Sequence, residues 1–163
     1  MKPANQVHAG HILLALARYF NWFQNTMMPE CWIDGGQADL VFVSRAGYVT
    51  EIEIKVSFSD WNSDCEKDKW KRERPHVARF YYAVPETLSE RVPAWLPDGA
   101  GILSVSLGRH GRPTITPIRE ARRMKAAKIT PEEIRHMHQR CYFRYWRSEL
   151  SRCASEQARM FKP

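Results

Sequence analysis

The chain has 163 residues, 44% hydrophobic and 12% aromatic, enough apolar side chain for one domain with a sizeable core. That excludes a disordered chain, and the apolar run from Ile12 to Ala17, broken by Arg18, is too short to span a membrane. A formal net charge of +7 favours a polyanionic partner, nucleic acid first.

The four cysteines, Cys31, Cys65, Cys141 and Cys153, lie far apart, and no pair has the C-x-x-C spacing of a zinc or redox motif. With no signal peptide ahead of them, they read as reduced thiols of a cytoplasmic protein.

The first predicted element is a helix from a cap at Asn5 to about Phe23. Ile12, Ala15, Leu16, Tyr19 and Phe23 fall on one stripe at helical spacing. His8 and His11 lie on another stripe. A short strand follows over Met27 to Asp34, and Asp34-Gly35-Gly36 is a turn.

Ala38 to Lys55 reads as two strands joined by the turn Ser44-Arg45-Ala46-Gly47, with Gly47 free to take positive φ. The first strand is an apolar run that opens with a lone acid, Asp39. The return strand, Tyr48 to Val56, alternates. Ile52, Ile54 and Val56 face one way, and Glu51, Glu53 and Lys55 the other. Simple register about the turn brings Asp39 near Glu53 and Lys55. A carboxylate in an apolar run costs free energy unless it is exposed, paired or bound to a metal. Asp39 and Glu53 are therefore candidate oxygen ligands for a divalent cation, with Lys55 placed to orient a water or offset phosphate charge. The alternative is an edge hairpin with a solvated Glu/Lys ladder.

A second helix, capped by Ser57 or Ser59, is predicted to run to about Arg74, before Pro75, anchored by Trp61 and Trp70. Its cations Lys67, Lys69, Lys71, Arg72 and Arg74 are either phosphate contacts or a solvated helix end favoured by the macrodipole. Arg79 to Val84 is a central aromatic strand, with Tyr81 and Tyr82 packed in the core. Gly101 to Leu107 and Thr114 to Ile118 are further strands around a basic loop, Arg109 to Pro113. The segment Arg119 to Lys128, with Arg122 and Arg123, is the densest positive run. Thr130-Pro131-Glu132-Glu133 opens a last basic helix over about 130–152, with a tail that frays from Cys153. Its apolar stripe is Ile134, Met137, Cys141 and Tyr145. Arg140 and Arg144, interleaved with aromatic residues, suit contact with nucleic acid.

Asp39 followed by Glu53-Ile54-Lys55 resembles the acid, acid-x-lysine signature of the PD-(D/E)XK nuclease superfamily, which sits on just such a hairpin. The text around it is similar to a small, bacterial or phage-borne branch related to the MmcB-like DNA repair proteins. The likeness extends through Ser59-Asp60-Trp61, Asp68-Lys69-Trp70 and Arg79-Phe80-Tyr81-Tyr82-Ala83-Val84-Pro85. It implies one restriction-endonuclease-like α/β domain over residues 1–163, a mixed β-sheet flanked by helices with an α-β-β-β-α-β core. It also implies a nuclease acting on DNA in repair, recombination or phage DNA processing, with magnesium or manganese as cofactor.

In that likeness Asp39, Glu53 and the Ile54 backbone carbonyl are metal ligands. Lys55 positions the attacking water, and Glu51 serves a second metal or a proton relay. Related sequences usually carry Glu where this chain has Gln37, which has no charge to offer. The first helix brings no Glu either, leaving Gln6, His8 and His11 as accessory donors. A module of the same fold that binds DNA or a protein without cutting is the alternative. Double-strand cutting implies a homodimer with two sites.

Overall fold

The computed structural model describes residues 6–64, 73–97 and 99–160. By internal contacts the chain divides into Met1–Ile129 and Thr130–Pro163. The first unit is an α/β domain built on one six-stranded sheet in the order β1 to β6. Its strands are β1 (Thr26–Ile33), β2 (Gly36–Val43), β3 (Val49–Ile54), β4 (Val77–Pro85), β5 (Gly101–Leu107) and β6 (Pro113–Arg119). β3 runs parallel to β4 and β4 to β5, while the other neighbours are antiparallel, so the sheet is mixed. Helix α1 (Ala9–Tyr19) precedes β1 and α2 (Phe58–Ser63) follows β3, the element order the sequence implies. A short helix α3 (Glu86–Ser89) follows β4, and a 3₁₀ turn at Arg109–Gly111 lies in the predicted basic loop.

Two-residue alternation sorts the strands onto two cores. Ile12, Ala15 and Leu16 of α1 pack on Leu40, Ile52, Tyr81 and Leu103 across one face. Trp61 of α2 packs with Phe80, Tyr82, Val84 and Ile102 on the other. Gly101 lets the Tyr81 ring pack closely over β5, because a Cβ there would stand 2.3 Å from that ring.

The first helix stops earlier than its pattern predicts. The chain turns after Tyr19 with Asn21 at φ 52°, so Phe23 leaves the apolar stripe and is 81% exposed. The N-cap is His8, and Asn5 lies outside the described residues. Ser57 caps α2, its Oγ accepting from Asp60 N–H. The described part of that helix ends at Ser63, and the predicted continuation, with Trp70, lies largely outside the described residues.

The second unit holds α4 (Pro131–Met160). Thr130 and Glu133 form the predicted reciprocal cap: Thr130 N–H donates to Glu133 Oε2 at 2.7 Å and Glu133 N–H to Thr130 Oγ1 at 3.2 Å. The helix does not fray at Cys153. Arg152 reaches Glu149 and Glu156 at helical spacing, which supports the last turns. Of the predicted apolar stripe, Met137 is buried and Tyr145 is exposed.

Candidate active site

Glu51 and Glu53 of β3, and Lys55 just past its end, stand at alternate positions, and Glu51 and Glu53 pair with Phe80 and Tyr82 on β4. The solvated edge ladder is ruled out. β3 lies inside the sheet between β2 and β4, and these three side chains belong to residues 1%, 1% and 4% exposed. Burying an ion costs several kcal/mol before pairing, so each must be compensated locally. Arg74 does this for Glu51: its Nε donates to Glu51 Oε2 at 3.1 Å, and its guanidinium lies 5.2 Å from the Phe80 ring centroid. Lys55 Nζ sits 2.9 Å from Asp64 Oδ2, 3.8 Å from Glu53 Oε2 and 3.9 Å from Asp60 Oδ1.

Asp39 is where β2 parts from β3. Their ladder runs from Val43–Val49 to Leu40–Ile52. Beyond it, Asp39 Oδ2 accepts the Ile54 N–H at 2.7 Å, replacing a backbone acceptor with a carboxylate. The β1–β2 hairpin continues past this point to a two-residue turn, with Asp34 and Gly35 both at positive φ. Asp34 at its tip accepts from His76 N–H at 3.0 Å and meets His76 Nδ1 at 2.6 Å. Asp39 alternates with Leu40 of the α1 core, so its carboxylate belongs to the face of Glu51, Glu53 and Lys55.

Asp64, fully buried, is the residue the sequence reading missed. It holds Lys55 and also accepts from the Tyr82 hydroxyl at 3.2 Å. Burial first, and then the Asp64 charge and hydrogen bond, push the Tyr82 pKa far above its ordinary value, so the phenol stays a donor. A signal existed: Asp60 and Asp64 are spaced four apart at the second helix and share one face.

In donor chemistry alone, these residues suit a hard divalent cation. Among the described residues no group of three or more His, Cys, Asp and Glu side chains is arranged to hold a metal. The ligands that the resemblance implies are two carboxylates, Asp39 and Glu53, and the Ile54 carbonyl. All are oxygen, which suits magnesium or manganese with water completing the shell. Among the described residues, Lys55 meets Glu53, Asp60 and Asp64, Arg74 meets Glu51, and Asp39 accepts from the Ile54 N–H.

The remaining candidates scatter. Gln37 is exposed, and its Nε2 donates to the Glu30 carbonyl at 3.5 Å. His11 is occupied at the α1 N-terminus, where its Nδ1 accepts from His8 N–H at 3.3 Å, and α1 covers the opposite face of the sheet. Arg74 is drawn into the buried pair with Glu51, its side chain 8% exposed, instead of standing at the surface for phosphate. Lys67, Lys69, Lys71 and Arg72 lie outside the described residues. Arg122 and Arg123 are exposed on the return segment after β6, and Arg123 lies over the Tyr48 ring at 4.6 Å. Arg140 is exposed and Arg144 partly so on α4, in the second unit.

A family model described as DNA repair protein MmcB-like matches residues 4–141. The chain belongs to the MmcB-like family. That membership points to a DNA-related role. No curated protein matches the chain. Among solved structures, a protein of unknown function from Silicibacter pomeroyi, SPO1766, is similar at 20% identity and a TM-score of 0.57. The match covers 92% of this chain and 94% of that one, which supports the fold alone. Among the described residues no helix is long and apolar enough to cross a membrane.

Proposed function

We infer that this MmcB-like chain is a metal-dependent nuclease of the PD-(D/E)XK type, hydrolysing phosphodiester bonds in DNA. One observation carries the reading: two acids and a lysine buried on a single face of an interior strand, with Asp39 beside them. Apolar residues of similar volume would stabilise the fold as well or better, so the charges are explained by chemistry more readily than by stability.

Asp39, Glu53 and the Ile54 carbonyl would hold magnesium or manganese. Bound there, the cation supplies Lewis acidity toward the phosphoryl oxygen and a water acidic enough to attack. Lys55, beside Glu53, would orient the water and offset the negative charge that develops on the phosphoryl oxygens. Asp64 and Tyr82 fix the lysine in place. Glu51, held by Arg74, adds to the negative field that draws a cation.

A second reading has support of its own. The 2.9 Å contact of Lys55 with Asp64, together with a neutral Gln37 where the resemblance implies Glu, is compatible with a DNA-binding module that does not cut. The double variant Asp39→Ala/Lys55→Ala separates them. Under the nuclease reading it loses metal-dependent cutting yet binds labelled DNA as the parent does. A parent that binds DNA but never cuts, with any divalent metal, favours the module.

A further inference from the structure

The α1 face of the sheet carries a cleft that the acid face does not use. It measures about 380 Å³ and is lined by Tyr19, Phe20, Tyr48, Arg79, Glu120 and Arg123. Phe42, Thr50 and Tyr81 also line it. They alternate along their strands with Val41, Glu51 and Tyr82, so this cleft opens on the side away from Glu51 and Glu53. Its volume falls at the low end of the ~300–1,000 Å³ typical of small-ligand pockets.

The lining combines ring faces, cations and one acid. Phe20 stacks near Phe42 at 4.6 Å and meets Tyr81 edge-on at 6.4 Å, which fixes the aromatic side. Arg123 lies 4.6 Å and Lys128 5.3 Å from the Tyr48 ring centroid. Arg79 stands 3.8 Å from Glu120, its side chain 44% exposed. The Tyr81 hydroxyl donates to Glu120 Oε2 at 2.7 Å and holds that carboxylate in the wall. Two cations of the lining, Arg79 and Arg123, against one acid attract an anion. The acid disfavours a bare anion and suits a ligand that also carries N–H or O–H donors. The rings favour a planar group. A base, a sugar and a phosphate in one small unit meet all three demands.

We propose that this cleft binds a single nucleotide unit, a nucleoside 5′-phosphate. The base rests against Tyr19, Phe20 or Tyr48, the phosphate meets Arg79 and Arg123, and Glu120 accepts from a base N–H or sugar hydroxyl. The unit is either a free mononucleotide or a nucleotide swung out of a DNA strand, since both present the same groups.

The test uses the full chain carrying Lys55→Ala, so that neither outcome depends on whether the acid face cuts. In the first arm, the four deoxynucleoside 5′-monophosphates, the matching nucleosides and inorganic phosphate are titrated by calorimetry. The expected result is one-to-one binding of at least one monophosphate, tighter than its nucleoside or phosphate, and weakened about tenfold by Arg79→Ala or Arg123→Ala. In the second arm, a duplex with one unpaired nucleotide is compared with the fully paired duplex. Preference for the unpaired nucleotide, lost in Tyr48→Ala/Arg123→Ala, identifies the swung-out source. Monophosphate binding without that preference identifies the free ligand. The proposal is overturned if no monophosphate binds and no duplex is preferred. It is equally overturned if binding persists unchanged in the double variant, provided that variant melts as the parent does.

Discussion

On β3, Glu51 and Ile52 are neighbours with exposures of 1% and 0%, yet they answer to different forces. Ile52 packs with Ile12, Leu16, Leu40 and Tyr81, and its burial stabilises the sheet by removing apolar area from water. Glu51 is buried to the same degree and must be rescued by Arg74 across twenty-three residues. Equal burial therefore says nothing by itself about what a position contributes. One face of the strand holds the domain together. The other carries charge at a cost in stability, a cost that the proposed nuclease chemistry would explain.

Five substitutions sharpen or break this contrast. The largest effect belongs to Asp39→Ala or Lys55→Ala, which lower the initial rate of metal-dependent DNA nicking by about 10³-fold, the scale of losing a preorganised charge at a reacting phosphate. Arg74→Ala leaves Glu51 buried without its guanidinium and lowers the unfolding free energy by about 3–5 kcal/mol, read from urea melts. Ile52→Ala opens a cavity on the α1 side and costs about 3 kcal/mol in the same measurement, while the cutting rate per folded molecule is kept. If Ile52→Ala abolished cutting and Lys55→Ala did not, the two faces would have been read the wrong way round. Asp64→Asn is the mildest: it keeps the shape but weakens the hold on Lys55, and cutting falls about tenfold with a small change in melting temperature.

Much of this was legible in the sequence because it is local. The turn at Gly47 needs positive φ and has it, at 81°. The Ser57 and Thr130 caps need only neighbours three residues away. The alternation of Glu51, Glu53 and Lys55 sets their common face through strand geometry alone. What could not be read is what covers that face. Its burial depends on Trp61 docking against the sheet and on Arg74 returning to Glu51. The β1–β2 tip is tied to the start of β4 by Asp34 and His76, forty-two residues apart. Tyr82, eighteen residues on, meets Asp64, and Glu51, twenty-three residues back, turns Arg74 from an expected phosphate contact into a buried partner. The end of α1 was overrun because Phe23 continues the helical spacing, while the backbone at Asn21 does not.

The central claim is that the buried acid-and-lysine face of β3 is a metal-dependent nuclease site. The most direct measurement incubates supercoiled plasmid and single-stranded DNA with the purified chain under three conditions: magnesium, manganese and chelator. The account predicts nicking or degradation that requires the metal, stops on chelation and is absent in Lys55→Ala of unchanged fold. Cutting that survives the chelator or the Lys55→Ala substitution would contradict it, as would no cutting of any DNA by a chain that binds DNA and folds.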